Sequence, residues 1–111
     1  VPAGSIAPIA SWTPHTSMNG VALRPSNSDL PGGNSTIYAT VYGSWNTILP
    51  QGHEIVRIDL DATSGEVIGT TSVFAEDVGT PLPITFHPKG DLYFAVFGSN
   101  GKLYKITATL T

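Results

Sequence analysis

The sequence predicts an all-β chain organised as two four-stranded blades of a β-propeller, and three observations carry that prediction. Helical periodicity is nearly absent, because the 12 glycines and 9 prolines recur at intervals too short to leave room for helices. Short runs rich in β-branched and aromatic residues alternate with turn chemistry along the chain. One such unit also occurs twice.

The strands are expected at 20–24 (GVALR), 36–42 (TIYATVY), 54–60 (EIVRIDL), 66–74 (EVIGTTSVF), 82–87 (LPITFH), 91–97 (DLYFAVF) and 103–109 (LYKITAT). Turns separate them: DATSGE from Asp61 to Glu66, then HPKGD and GSNGK, each offering a glycine for a backbone that needs positive φ. The repeat appears when IYATVYGS (37–44) is set over LYFAVFGS (92–99). Tyr, Val, Gly and Ser coincide, and Tyr42 falls opposite Phe97. Each copy is followed by a turn and a second strand, IVRIDLD or LYKITAT, and preceded by an apolar strand ending in proline, VALRP or ITFHP. A repeated strand-turn-strand unit of about 55 residues is the signature of propeller blades. The chain therefore reads as a single all-β unit over 1–111, with blade one at about 19–74 and blade two at about 82–109. The second copy lacks a fourth strand, for which residues 4–10 are the candidate closing strand.

Composition limits the function. At 111 residues the chain is one domain at most and near the low end for an independent core. Each propeller blade buries its faces only against neighbours, so two blades leave two apolar faces open. The expected partners are other blades of the same polypeptide or copies of the chain itself, closing a six-bladed ring. Charged residues are 12% and the net charge is −3, which leaves no basic field for nucleic acid or an anionic membrane. No apolar run approaches the roughly 20 residues of a membrane-spanning helix. The absence of cysteine removes disulfides, thiolate metal sites and a cysteine nucleophile. Low charge, abundant Ser, Thr and Gly, and the sequon at Asn34 in LPGGNST point to a secreted chain with a glycosylation site there.

The segment VYGSWNTILPQGHEIVRIDLD, with PHTSMNGVAL upstream and PLPITFHPKGDLYFAVFGSNGKLYKITA downstream, resembles the C-terminal blades of the sorbosone and pyranose dehydrogenase family. The resemblance runs from about residue 14 to 108. It implies a six-bladed propeller, a secreted or periplasmic sugar dehydrogenase, and the cofactors pyrroloquinoline quinone (PQQ) and calcium. It would correspond to about a third of a family member. The family's motif usually reads His-Gly-Ser-Trp-Asn-Arg; here Tyr42 stands in place of the histidine and Thr47 in place of the arginine. Losing a guanidinium suited to the quinone's carboxylates weakens the expected cofactor site. PHTS at 14–17 resembles a family segment and keeps its histidine, His15.

The resemblance nominates His15, Trp45 and Asn46 as cofactor contacts. For substrate it leaves Trp45, Tyr42 and Asn46. Trp45 reads either as a platform for a sugar ring or planar cofactor or as a plug between blades. Asn46 either bonds a sugar hydroxyl or bonds its own backbone. His53 and His87 read as structural: HEIVR lacks the second histidine of the zinc motif, and His87 precedes a turn proline. Asp59, Asp61 and Glu66 do not keep calcium-loop spacing. Asp77 is notable only for lying on the connection between blades. No catalytic residue is assigned, and no metal ligand.

Three functional readings compete. One is a portion or relative of a PQQ-dependent sugar dehydrogenase, whose remaining site residues would lie in other blades, so that these 111 residues alone should be inactive. Another is a lectin-like carbohydrate-binding ring of two-blade subunits without catalysis, gaining avidity from its symmetry. A plain interaction scaffold is the third reading.

Overall fold

The computed structural model describes residues 4, 8–14, 16–44, 51–61, 68–98 and 100–109. It is all-β, with seven strands in two antiparallel sheets. The first sheet comprises β1 (Met18–Leu23), β2 (Thr36–Val41), β3 (Glu54–Asp61) and β4 (Ile68–Ala75), in that order. The second comprises β5 (Pro81–Phe86), β6 (Leu92–Val96) and β7 (Lys102–Ile106). All seven expected strands form, and their ends fall within a few residues of the sequence reading.

Register explains which residues become core. β2 pairs with β3 so that Tyr38 faces Arg57 and Ala39 faces Val56, and successive side chains then point to opposite faces. One face of the first sheet presents Tyr38 and Ile55 to the second sheet, where Leu92 and Phe94 meet them. The other face carries Ala39, Val41, Val56 and Ile58, covered in part by Ala10 and Trp12 from the segment before β1. β2 is thus buried on both faces, the reason its sequence is nearly continuously apolar.

The sheets meet most closely at β1, β2 and β5. A Cβ on Gly20 would fall 2.4 Å from the carbonyl oxygen of Leu82, and Thr40 Oγ1 donates to that same oxygen at 2.6 Å. At the far end, Asn27 donates to Pro88 O at 2.6 Å and Ser28 Oγ to Gly90 O at 2.6 Å.

Backbone bonds confirm the repeat. Tyr42 N–H donates to Ser17 O and Phe97 N–H to Thr80 O, each at 2.9 Å. At the opposite end Arg24 N–H donates to Thr36 O and His87 N–H to Asp91 O, each at 2.8 Å.

The second sheet departs from the expectation of four strands: it has three among the described residues. The described part of the candidate closing strand, residues 8–10, lies against the first sheet instead, where Gly69 N–H donates to Ile9 O at 2.6 Å. Gly69 has the side-chain space to admit it, since a Cβ there would fall 2.9 Å from Ala10 Cβ. Burying Ala10 and Trp12 over Val56 and Ile58 holds the segment on this face.

Candidate functional site

Strand direction gathers four connections at one end of both sheets: residues 12–14 and 16–17 before β1, 42–44 and 51–53 between β2 and β3, 76–80 between β4 and β5, and 97–98 and 100–101 between β6 and β7. This rim is the candidate site.

Backbone strain concentrates there. The non-glycine residues with positive φ among the described residues are Ser17 (55°), His53 (61°) and Asp77 (52°), and all three lie on the rim. Such conformations cost roughly 1–3 kcal/mol each and persist where surrounding structure holds them, often at functional sites.

The holding contacts are specific. Gly43 N–H donates to Thr16 O at 2.8 Å and Ser44 N–H to Gln51 O at 2.8 Å, while Gln51 N–H donates to Ser44 Oγ at 2.7 Å. These bonds close the base of the 44–51 loop. The His53 ring lies over Gly43, whose φ is 116° and where a Cβ would fall 2.3 Å from the imidazole. His53 Nδ1 sits 2.9 Å from Gly79 O, and Val78 N–H donates to His53 O at 3.0 Å. A carbonyl can only accept, so Nδ1 carries the proton of that bond. His53 therefore latches the β2–β3 loop to the connection that enters the second sheet.

The two aromatic residues that the repeat makes equivalent also meet in space. Tyr42 and Phe97 have ring centroids 6.3 Å apart and planes inclined by 51°; Tyr42 is half-buried and Phe97 is 64% exposed. Trp12 Nε1–H donates to Glu54 Oε1 at 3.0 Å, anchoring the preceding connection at the start of β3.

Of the nominated residues, Tyr42 lies on the rim. His15, Trp45 and Asn46, with Thr47, fall outside the described residues, and so does the rest of the DATSGE turn after Asp61. Their described neighbours Thr16 and Ser44 belong to the rim. Asn34 is exposed on the β1–β2 connection, at the opposite end of the molecule. Sequence reasoning passed over His53 as structural and did not single out Phe97. The signal for Phe97 was its repeat match to Tyr42; for His53 there was none, because Val78 and Gly79, to which it is bonded, lie on a connection distant in sequence.

Among the described residues no group of three or more His, Cys, Asp or Glu side chains is placed to hold a metal ion. The shifted acids sit away from the rim. Burial pushes the Tyr38 hydroxyl up, against the opposing pull of Arg57 and Arg24. Burial would also raise the Asp59 carboxyl, but the Thr36 hydroxyl and Arg57 outweigh it and hold Asp59 below its ordinary value.

No protein-family model matches the sequence, and no curated protein matches it. A solved structure does resemble it: the holo form of the pyranose dehydrogenase PQQ domain from Coprinopsis cinerea, at a TM-score of 0.63 and 19% identity. The match covers 86% of this chain and 27% of that one. At that identity the likeness establishes the fold. The chain spans about a quarter of the length of the solved structure it matches.

Proposed function

We propose that these residues form two adjoining blades of a larger propeller that oxidises a sugar with PQQ, as the resemblance to the pyranose dehydrogenase domain suggests. The observation that carries this reading is the pairing of that resemblance over 86% of the chain with a rim on which the strained residues of the first blade and of the connection to the second collect. Secretion and calcium belong to the same proposal.

These blades supply wall and rim to the site. The described rim carries Lys102 as its cation, while Arg24 and Lys89 lie at the other end, and it holds no carboxylate cluster for a metal. On those residues alone neither the carboxylates of a quinone nor a calcium ion is cradled. The described side chains are therefore assigned no step of the chemistry.

The test uses the complete natural polypeptide beside the 111-residue segment. Quinone binding is followed by fluorescence with calcium present, and oxidation of a panel of pyranoses by reduction of an artificial electron acceptor. We expect binding and turnover from the complete polypeptide and none from the segment. Failure of the complete polypeptide to bind PQQ overturns the reading. The exposed ring of Phe97 beside Tyr42 favours one second reading, a carbohydrate-binding ring without catalysis. Sugar binding by a protein that neither binds nor needs the quinone would establish it.

A further inference from the structure

Away from the Tyr42 and Phe97 edge of the rim, a crevice of about 430 Å³ opens between the β4–β5 connection and the second sheet, lined by Asp77, Val78, Gly79, Phe94, Val96 and Tyr104. We infer that this crevice binds a saccharide ring, with Tyr104 as its stacking platform and Asp77 as acceptor for its hydroxyls.

Three features point that way. The floor is aromatic where the repeat does not require it. Phe94 pairs with Tyr104 across β6 and β7, while the corresponding pair in the first sheet is Ala39 with Val56. The two rings stack, with centroids 5.3 Å apart and planes 19° from parallel. Phe94 is buried and Tyr104 is 43% exposed, so one ring supports the other and leaves it an open surface. An aromatic face with a polar edge suits the C–H face of a sugar.

The wall is pre-set. Asp77 and Gly79 both have positive φ, and the residue between them is tied to His53 through its N–H, as is Gly79 through its carbonyl. A wall already ordered loses little freedom when a ligand binds.

The chemistry of the lining selects the ligand. Asp77 is an exposed carboxylate, and no cationic side chain is among the described lining residues. Lys102 pairs with Val96 on this face but stands outside the lining, so the charge within the crevice is that of Asp77, an arrangement that suits neutral polyhydroxylated rings. The volume lies within the range of small-ligand sites, roughly 300–1,000 Å³. This inference does not depend on the quinone reading, because none of these residues is nominated to contact the cofactor.

The experiment is saturation-transfer NMR on the complete polypeptide with glucose, galactose, xylose and their short β-linked oligomers, recorded with and without PQQ. We expect transfer concentrated on the C–H face of the sugar, lost in Tyr104→Ala, reduced several-fold in Asp77→Asn, unchanged in Tyr93→Ala and unchanged when PQQ is added. Tyr93 lies on the opposite face of the same sheet and controls for the substitution. Asp77→Asn sits on a connection and keeps the test valid if Tyr104→Ala fails to fold. Absence of transfer to every saccharide overturns the inference, including the case in which another chain segment beside β7 fills the crevice. So does transfer that survives Tyr104→Ala, or transfer that PQQ abolishes, which would assign the signal to the cofactor site. Failure of quinone binding alone leaves this result readable.

Discussion

Tyr38 and Tyr93 hold the same place in the repeat, yet Tyr38 is fully buried between the two sheets while Tyr93 stands half-buried on the far face of the second, its ring 5.9 Å from that of His87. The Tyr38 ring meets Phe74 edge-on at 4.9 Å and Phe86 at 5.5 Å, and its hydroxyl donates to the carbonyl of Pro31. Tyr38→Ala should cost about 3–5 kcal/mol, the range for deleting a buried aromatic. Tyr38→Phe should cost about 1 kcal/mol for the lost hydrogen bond. Tyr93→Ala should cost less than about 1 kcal/mol in this chain, as a partly exposed site does. Urea denaturation of the three variants measures the asymmetry directly.

Arg24 closes the opposite end of the first sheet without a carboxylate. Its Nε donates to Leu30 O at 2.8 Å, one terminal nitrogen to Pro25 O at 3.3 Å and the other to the carbonyl of Ser28. The planar guanidinium suits this fork of carbonyls, and an ammonium does not. Both Arg24→Met and Arg24→Lys should lose about 2 kcal/mol or more, because buried carbonyls are left without donors. Hydrogen exchange should rise at Leu30 and Gly90, since Ser28 also bonds Gly90 across the sheets.

At the rim, Gly43→Ala should break the latch rather than the fold. The new methyl would meet the His53 ring at a φ of 116°, displacing the imidazole from Gly79. A cost of roughly 1–3 kcal/mol is expected for strain at such a position. If the ring is the obstacle, the penalty shrinks in a His53→Ala background. A double-mutant cycle reads that coupling, and additivity would show that backbone strain alone is responsible.

The strands were legible because period-two patterning and turn residues are local. Tyr38, Ile55 and Phe94 declare themselves as apolar positions within short runs, and the repeat sets Tyr38 over Tyr93 and Phe94 over Ala39. The latch was not legible. His53 bonds Gly79 and overlies Gly43 through contacts that only folding creates, and HEIVR carries no local mark of its positive φ. The docking of residues 8–10, expected on the second sheet, which has three strands among the described residues, was not legible for a similar reason. Residues 8–10 are apolar enough to be a strand, but where such a segment docks depends on which face offers room, and Gly69 in β4 offers it. Tyr42 and Phe97 lie between these cases: the alignment made them equivalent, and the fold brings them together.

Acid should weaken the first sheet through Asp59. Thr36 Oγ1 donates to Asp59 Oδ1 at 2.7 Å, and Arg57 Nε lies 2.8 Å from Oδ2. Arg57 Nε is buried and makes no well-directed hydrogen bond among the described residues, yet its closeness and its charge both hold Asp59 ionised. A carboxyl held below its unfolded value contributes stability that is fully present above that value, near pH 4 for aspartate. That stability is lost as pH falls through the lower, folded value. Asp59→Asn should flatten this acid limb while lowering stability at neutral pH. A denaturation midpoint series from pH 7 down to about pH 2 distinguishes this from general acid unfolding, which would leave the limb unchanged. The side chain is 38% exposed, so the effect should be small and reduced by salt.

The two outer faces make the last prediction. Val21 (65% exposed) and Leu23 (62%) lie on the first sheet's outer face beyond the reach of Ala10 and Trp12, and Leu103 (71%) lies on the far face of the second. Isolated apolar patches of this kind promote association. In the repeat, the face of the second sheet that packs on the first corresponds to the first sheet's own outer face. A copy stacking in the same manner therefore joins Val21 of one molecule to the Leu103 side of the next, a head-to-tail contact. Each substitution alone, Val21→Lys or Leu103→Lys, should then lower the self-association of the 111-residue chain in sedimentation velocity. If contacts instead formed between like faces, only one of the two would matter. Mixing the two variants separates the cases further: head-to-tail stacking permits dimers through the one intact pair of faces and stops there.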